Sequence, residues 1–189
     1  MSRMPPLPES EIPDEARPLF DMAKDMMGFT PNDAVVMARH PGILKGVAAM
    51  CASVYGPGKV DNGTKRLIGY IASTAAGCIY CQSHTAHGAH NQGVDAAKIK
   101  SAWEYETSDL FSDKERVALR VAQAGAMSPS EVTDAQFTDM RAHWSDDEIV
   151  EIVAVISMFG FLNRWNAIMD TQIEDTPMDF VSAAGVMLK

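Results

Sequence analysis

The sequence is poor in cysteine and in positive charge. Only three cysteines occur among its 189 residues, and 16 lysines and arginines stand against 25 aspartates and glutamates, for a net charge of -9. No run of basic residues occurs. Nucleic acids and anionic membrane surfaces are bound mainly by basic patches. We therefore expect no nucleic-acid partner and no membrane partner.

Long hydrophobic runs are also scarce. The first residues lack the apolar central region of a signal peptide. The two longest apolar stretches, Leu67–Cys81 and Ile149–Leu162, are shorter than a membrane span requires. We therefore expect a cytoplasmic protein. In that compartment a close pair of cysteines favours a catalytic or metal-binding role over a structural disulfide.

The sequence lacks the alternation of polar and apolar residues that marks β-strands. Apolar residues nevertheless make up 47% of the chain, which is enough for one substantial core. We predict an all-α fold, with a proline-rich, extended N-terminal arm over residues 1–17 and a single helical domain over residues 18–189.

Helical periodicity and helix signals divide that domain into nine segments. Capping boxes, in which a hydroxyl and a carboxylate or amide satisfy free backbone groups at a helix start, begin at Ser112, Thr133 and Ser145. The predicted helices are 18–27, 33–39, 41–55, 64–76, 78–91, 95–105, 113–127, 134–143 and 146–171, with one more short helix in the tail 172–189.

The most informative motif is the run Gly77-Cys78-Ile79-Tyr80-Cys81. Gly77 can end the preceding helix in a left-handed conformation, which places Cys78 in the first turn of the next helix. Free N–H groups and the positive end of the helix dipole favour a thiolate there. Cys81 lies one turn on, on nearly the same face. A thiolate with a resolving thiol beside it is typical of a dithiol oxidoreductase.

Three histidines follow the cysteines at every third residue. His84 shares the side of the helix that carries Cys81, so it is the best candidate for moving a proton. His87 is the second candidate, because the spacing carries it around the helix, and His90 is expected in solvent.

Other interpretations of this segment compete with the redox one. The cysteines could be inert packing. Zinc bound by Cys78, Cys81, His84 and His87 is disfavoured, because consecutive turns of one short helix wrap a tetrahedral ion badly. Gln82 occupies the place of the histidine that a c-type haem requires. We therefore predict no metal and no cofactor.

Cysteine and acidic residues outside this segment have simpler interpretations. Cys51 stands among small and apolar residues and is assigned to the core. The acidic residues at Asp146–Glu148 and Glu174–Asp175 are interpreted as helix-start and surface charge.

The chain resembles the AhpD-like, carboxymuconolactone decarboxylase superfamily, and most closely its peroxidase-related alkylhydroperoxidase branch. The resemblance rests on residues 67–81, on the histidines that follow them, and on the run Phe159-Gly160-Phe161-Leu162-Asn163-Arg164-Trp165-Asn166. It implies an AhpD-like helical bundle with its CxxC at a helix N-terminus, and a homo-oligomer, a trimer or a hexamer. It further implies that Cys81 becomes a sulfenic acid, while Cys78 supplies a proton and then resolves the disulfide.

The chain departs from the family pattern in two places. The family histidine usually stands four residues after the second cysteine, where this chain has Thr85, so His84 is the nearest substitute. The family glutamate usually stands about one helix before the first cysteine, where this chain has Thr64-Lys65-Arg66. Arg66 either points inward and lowers a thiol pKa or is a solvated helix-start residue. Asn163 and Arg164 either line the floor of the pocket or hold helices together.

These observations predict a thiol-dependent peroxidase with peroxiredoxin-type activity. Its expected catalytic residues are Cys81, Cys78, His84 and His87, its substrate is a small hydroperoxide, and its reductant is a thiol that the sequence does not identify. One alternative is a carboxymuconolactone decarboxylase-like lyase of the same fold, which needs an acid or base rather than a disulfide. Another is a non-enzymatic oligomer that senses redox state.

Overall fold

Ten α-helices make up most of the fold. The computed structural model describes residues 2–189, and it contains no β-strand within that range. The predicted all-α class and helical bundle are confirmed. The helices are α1 (Arg17–Met27), α2 (Asn32–Met37), α3 (Pro41–Tyr55), α4 (Asn62–Ala75), α5 (Ile79–Asn91), α6 (Ala96–Lys100), α7 (Asp113–Gly125), α8 (Asp134–His143), α9 (Asp146–Met169) and α10 (Asp175–Ala184).

Local sequence signals account for several helix starts. Ser112, Thr133 and Ser145 each form the predicted capping box, which opens α7, α8 and α9. The helix predicted over 95–105 is wrong: α6 ends at Lys100, and a separate 3-10 turn covers Ala102–Glu104. The break turns the chain so that Ala102 and Tyr105 enter the core, where the Tyr105 hydroxyl donates to Gln123 at 2.7 Å.

Helix α4 is the centre of the core. It packs against α5, α7 and α9, and ten of its fourteen residues are buried. Small residues allow the close approach: a Cβ on Gly69 would lie within 3.0 Å of three atoms of the Phe159 ring on α9. Lys65 is buried on the same helix, and its ammonium group contacts the Val54 carbonyl and the Glu151 carboxylate, both at 2.8 Å.

Helix α9 extends beyond the apolar stretch at residues 149–162 on both sides. The predicted apolar stretch over residues 149–162 belongs to a helix of 24 residues, which is long enough and apolar enough to cross a membrane. The sequence interpretation of that stretch as too short is therefore corrected. One side of α9 packs against α3, α4, α5 and α7. Its opposite side leaves apolar side chains exposed: Val150, Val153, Phe161 and Ile168.

Both ends of the chain lie along this bundle. Residues 2–16 contain two short 3-10 turns, and the backbone N–H of Arg3 donates to the Met169 carbonyl at 2.9 Å. Near the other end, α10 packs against α5. The Gln82 side chain exchanges two hydrogen bonds with the Lys189 backbone, at 2.7 and 2.9 Å. The cysteine helix is therefore tied to the C-terminal segment.

The contact between α4 and α9 gives a prediction about stability. We expect Gly69→Ala to destabilise the protein by roughly 1–3 kcal/mol, because the added methyl group overlaps the Phe159 ring. The matched control is Gly46→Ala on α3, where a Cβ would meet no atom within 4 Å. That change should leave stability equal or raise it by up to about 1 kcal/mol. Urea unfolding followed by circular dichroism measures both, and equal effects would contradict the proposed packing.

Candidate active site

The two cysteines of the motif lie at the junction of α4 and α5. Gly77 has a φ of 69° and reverses the chain between the helices. Cys78 is the N-cap of α5, and Cys81 lies in its first turn. Both thiols are free, and both residues are buried, at 4% and 3% exposure.

The groups around the two thiols shift their pKa values in opposite directions. The Cys81 thiol donates a hydrogen bond to Cys78, and the backbone N–H groups of Cys81 and Tyr80 add to it, so the pKa of Cys78 is lowered despite burial. The same hydrogen bond, burial and the charge of Cys78 raise the pKa of Cys81 well above its usual value. Cys78 is therefore the more acidic of the two thiols, and Cys81 keeps its proton to higher pH.

His84 is the one predicted histidine that lies beside the cysteines. Its Nε2 is 2.8 Å from a carboxylate oxygen of Glu174, and its Nδ1 is 2.8 Å from the Tyr80 carbonyl. Burial opposes a charge on the ring, but Glu174 and the charge of Asp33 outweigh burial and raise the pKa of His84. Nδ1 thus lies against a carbonyl and Nε2 beside a carboxylate, and these surroundings favour the imidazolium form.

Glu174 is the acid that lies beside His84. It is the N-cap of α10, and its side chain is only 11% exposed, so its interpretation as surface charge is wrong. The Tyr80 hydroxyl donates to it at 3.0 Å, and the Asn32 backbone N–H also donates to it. Burial would raise the pKa of Glu174, but His84 and the Asn32 backbone N–H lower it overall.

A second acid, Asp33 on α2, lines the same cavity as Cys81. One amide group of Asn166 on α9 donates both to Asp33, at 3.2 Å, and to the Cys81 sulfur, at 3.5 Å. Burial raises the pKa of Asp33 above its usual range, against the charge of His84 and the bond from Asn166. The site therefore holds an acid that retains its proton more readily than a surface aspartate.

An apolar cavity of about 210 Å³ leads to this cluster. Cys81, His84 and Asp33 line it, whereas Cys78 does not. Its walls come from α1, α2, α3 and α9, and include Phe20, Met26, Met37, Val47, Phe159 and Leu162. The volume is below the 300–1,000 Å³ or so of drug-sized ligand sites, so the cavity fits a substrate of one ring or a short chain.

The remaining histidines and Cys51 lie at the edges of this arrangement. His87 lines a separate polar cavity of about 60 Å³ with His84, and burial lowers the pKa of His87. The structure therefore does not bring His87 and Cys81 into one cavity. His90 is exposed and stacks on Phe180. Cys51 lines the apolar cavity, and burial raises its pKa to about 11, so it stays protonated.

The alternatives left open for three other residues are now decided. Arg66 lies over the Tyr55 ring, 3.7 Å from its centroid, and acts on the Cys51 pKa rather than on the Cys78–Cys81 pair. Asn163 is buried and donates to the Ala72 carbonyl at 3.5 Å, so it joins α9 to α4. Arg164 is exposed. No group of three or more metal-ligating residues occurs within residues 2–189.

Comparison with known sequences finds relatives of the central part of the chain. A model described as the carboxymuconolactone decarboxylase family matches residues 41–124. The uncharacterised protein YnjA of Escherichia coli K12 is 31% identical over 93 residues, which cover 49% of this chain and 51% of YnjA. YdfG of Bacillus subtilis 168 is 26% identical over 110 residues, 58% of this chain and 73% of YdfG. The matched segment thus spans about half the length of YnjA.

Comparison with solved structures extends the similarity to nearly the whole chain. The debrominase Bmp8 is 34% identical, with a TM-score of 0.88 over 96% of this chain and 97% of Bmp8. A cysteine-to-alanine variant of Bmp8 in complex with 2,3,4-tribromopyrrole matches with 33% identity and a TM-score of 0.89, over 96% of each chain. A peroxidase-related AhpD-core protein from Ralstonia eutropha JMP134 shares the fold at 23% identity, with a TM-score of 0.83 over 100% of this chain and 98% of that protein.

The different pKa values of the two thiols give a prediction about their ionisation. We expect the first thiol to ionise below the ordinary pKa of about 8.5, because Cys78 is stabilised as a thiolate. Cys78→Ser should remove that ionisation and leave Cys81 as a thiol of high pKa, because burial and Asp33 still act on it. Thiolate absorbance near 240 nm followed against pH measures this. Cys51→Ser is the matched control, and a low ionisation that survives in Cys78→Ser would contradict the assignment.

The His84–Glu174 pair predicts a second titration. His84 should titrate above about 6.5 and His87 below it in the same NMR spectrum. Glu174→Gln should lower the His84 pKa, because the carboxylate that opposes the effect of burial is removed. Asp175→Asn, at the exposed neighbouring residue, is the control. A His84 pKa unaffected by Glu174→Gln would show that the pair does not set its charge.

The same pair links stability to pH. Its contribution is complete between the unfolded pKa values, about 4.3 for a glutamate and 6.5 for a histidine. It is lost as the pH falls through the lowered pKa of Glu174, and again as the pH rises through the raised pKa of His84.

Proposed function

We propose that this chain, a member of the AhpD-like, carboxymuconolactone decarboxylase superfamily, is a dithiol reductase of small apolar substrates. We propose organic hydroperoxides as those substrates. One observation carries the proposal. The Cys81 thiol lines an apolar cavity while it is hydrogen-bonded to Cys78, outside the cavity, whose pKa is lowered. Substrate and resolving thiol can thus reach Cys81 from different sides.

The first step oxidises Cys81. Its proton moves along the existing hydrogen bond to the Cys78 thiolate, and the Cys81 sulfur attacks the outer oxygen of the hydroperoxide. The O–O bond breaks, an S–O bond forms, and Cys81 becomes a sulfenic acid. The leaving alkoxide takes a proton and departs as an alcohol.

Asp33 and His84 are the candidates for that proton, because both line the cavity beside Cys81. The pKa of each is raised, so each holds a proton at a higher pH than an ordinary side chain of its type. Asn166 connects Asp33 to the attacking sulfur through its two hydrogen bonds. We propose Asp33 as the proton donor, and the His84 imidazolium, which Glu174 holds in its charged form, as the positive charge that stabilises the developing anion.

The second step closes the disulfide. The Cys78 sulfur attacks the sulfenic acid of Cys81, the Cys78 proton leaves with the hydroxyl group, and water is released. In total, a hydroperoxide and two thiols give an alcohol, water and one disulfide. A thiol reductant then returns two electrons and two protons to the pair. No metal or cofactor is needed in this scheme.

Removal of bromine from an aromatic ring is the second candidate. It is favoured by the similarity to the debrominase Bmp8, at 34% identity over 96% of this chain, and by a cavity that fits a single ring. As in peroxide reduction, the first step transfers an atom to sulfur: the bromine moves from the ring carbon to the Cys81 sulfur, and the ring carbon takes a proton. The Cys78 sulfur then attacks Cys81, displaces bromide and forms the disulfide. An aryl bromide and two thiols then give the arene, one disulfide, a proton and bromide.

We also propose that the protein works as a homo-oligomer, a trimer or a hexamer, in the cytoplasm. The exposed apolar side chains of α9 support a self-associating surface, since Val150 is 69% and Ile168 58% exposed on a helix that is otherwise apolar. The lyase and redox-sensor alternatives have no comparable observation in the site, and the experiment below distinguishes them.

Turnover with dithiothreitol as reductant tests the proposal. We expect wild type to reduce cumene hydroperoxide, and Cys81→Ser to be slower by more than about 1,000-fold, because the attacking sulfur is lost. Asp33→Asn should be slower by about 100-fold or more, because the leaving group lacks its proton donor. Cys51→Ser is the matched control, since its thiol lines the same cavity but stays protonated.

The same assay run with 2,3,4-tribromopyrrole separates the candidates. Bromide release that depends on Cys81, with no peroxide turnover, would move the assignment to dehalogenation. Formation of one disulfide per chain without recycling would indicate a redox sensor. Activity of the Cys78→Ser, Cys81→Ser double variant on a lactone would indicate a lyase and sink the dithiol mechanism.

A further inference from the structure

Arg66 on α4 carries a charge that nothing in the described chain neutralises. Among residues 2–189, no carboxylate lies within ion-pair distance of its guanidinium group. The group lies instead on the face of the Tyr55 ring, 3.7 Å from its centroid. Protein interiors rarely hold a partly buried cation without a partner, because its hydration is lost and nothing replaces it.

Two hydrogen-bond donors at this place also lack an acceptor. The Nε–H of Arg66 and the hydroxyl of Tyr55 are both closed to solvent, and neither has a hydrogen-bond partner within residues 2–189. Burial raises the pKa of Tyr55 to about 12, so its hydroxyl keeps its proton. The two groups are adjacent, so one acceptor placed between them could satisfy both.

This pair of donors lies where two cavities meet. Arg66 and Tyr55 line the apolar cavity that contains Cys81, and they also line the small polar cavity beside His87. A molecule with its body in the apolar cavity could therefore place one polar group against Arg66. The position of Arg66 depends on Gly88 of α5, since a Cβ there would lie 3.0–3.2 Å from three atoms of its side chain.

We infer that Arg66 and Tyr55 form a carboxylate-binding subsite, so that the substrate of this site is a small apolar monocarboxylic acid whose reacting group points to Cys81. The inference rests on the proposed function for the reacting group and on Arg66 for the acid. A guanidinium group with a neighbouring hydroxyl suits a planar carboxylate, which accepts from both.

The surroundings argue for a single negative charge. Arg66 is the one lysine or arginine that lines either cavity, and the nearby His87 has a lowered pKa and stays neutral at physiological pH. A phosphate or a dicarboxylate would bring a second charge without a partner. The apolar lining of the larger cavity requires that the rest of the ligand be hydrocarbon, an aromatic ring or a short chain.

Binding measured without turnover tests the subsite. Isothermal titration of the reduced full-length protein compares benzoate and 3-phenylpropionate with their primary amides. We expect at least one acid to bind wild type about 10- to 100-fold more tightly than its amide, because a charge-assisted hydrogen bond is lost in the amide. Arg66→Met should bring that ratio close to one, and Arg66→Lys should keep part of it.

Two further variants control for indirect effects. Arg141→Met removes one positive charge from an exposed residue with an exposed partner, Asp146, and should leave the ratio as in wild type. Gly88→Ala keeps every charge but presses a methyl group against the Arg66 side chain, so the ratio should fall less than in Arg66→Met. Circular dichroism checks that each variant is folded. If a folded Arg66→Met retains the wild-type ratio, the subsite is not at Arg66.

Other outcomes overturn the inference separately from the proposed function. Equal binding of acid and amide by wild type would mean that solvent, not a carboxylate, satisfies Arg66. Displacement of the bound acid by bromide at equal concentration would mean that Arg66 binds an inorganic anion. In either case dithiol turnover of cumene hydroperoxide, which has no carboxylate, would still stand. Failure of that turnover with intact acid binding would overturn the proposed function and leave the subsite in place.

Discussion

The contact between His84 and Glu174 is the interaction on which the rest of the site depends. It joins α5 to the segment before α10, across 90 residues of sequence, and it lies where both side chains are almost closed to water. A charge on either partner alone would be costly there, so each keeps the other ionised. Tyr80 and Asn32 are hydrogen-bonded to the same carboxylate. The orientation of α5, and with it the position of Cys81, is therefore fixed by an electrostatic contact and not by packing alone.

The charged groups around the cysteines give the two sulfur atoms different pKa values, although the sequence alone does not distinguish them. Cys78 has the N-cap position and the lowered pKa, while Cys81 has the raised pKa and the access to the cavity. Because attack requires a thiolate, Cys81 must pass its proton to Cys78 before it can react. Peroxide reduction and removal of a ring bromine both begin with transfer of an atom to sulfur and both end with a disulfide. One arrangement can therefore serve either chemistry, and the shape of the cavity chooses between them.

Local signals in the sequence were sufficient for most of the fold but only for half of the site. The capping boxes at Ser112, Thr133 and Ser145, the glycine before Cys78 and the helical periodicity act over a few residues, and the helices that they predict are observed. Glu174 and Asp33 are different, because each reaches the cysteines only through tertiary packing. Neither has a neighbouring pattern that distinguishes it from surface charge. His87 lines a different cavity from Cys81, and helical spacing alone does not show which side of α5 faces which cavity.

Asp33 precedes the cysteine helix in sequence and Glu174 follows it by some distance, and this order has a consequence for biosynthesis. A nascent chain leaves the ribosome from its N-terminus, so the cysteine helix is complete long before Glu174 is available. Until α9 has been made, the cavity lacks the wall that Phe159 and Leu162 form, and until Glu174 follows, His84 lacks its counter-charge. The dithiol is consequently assembled into its working environment only after the segment that carries Glu174 has been made, and shorter nascent chains display the two cysteines without that acid.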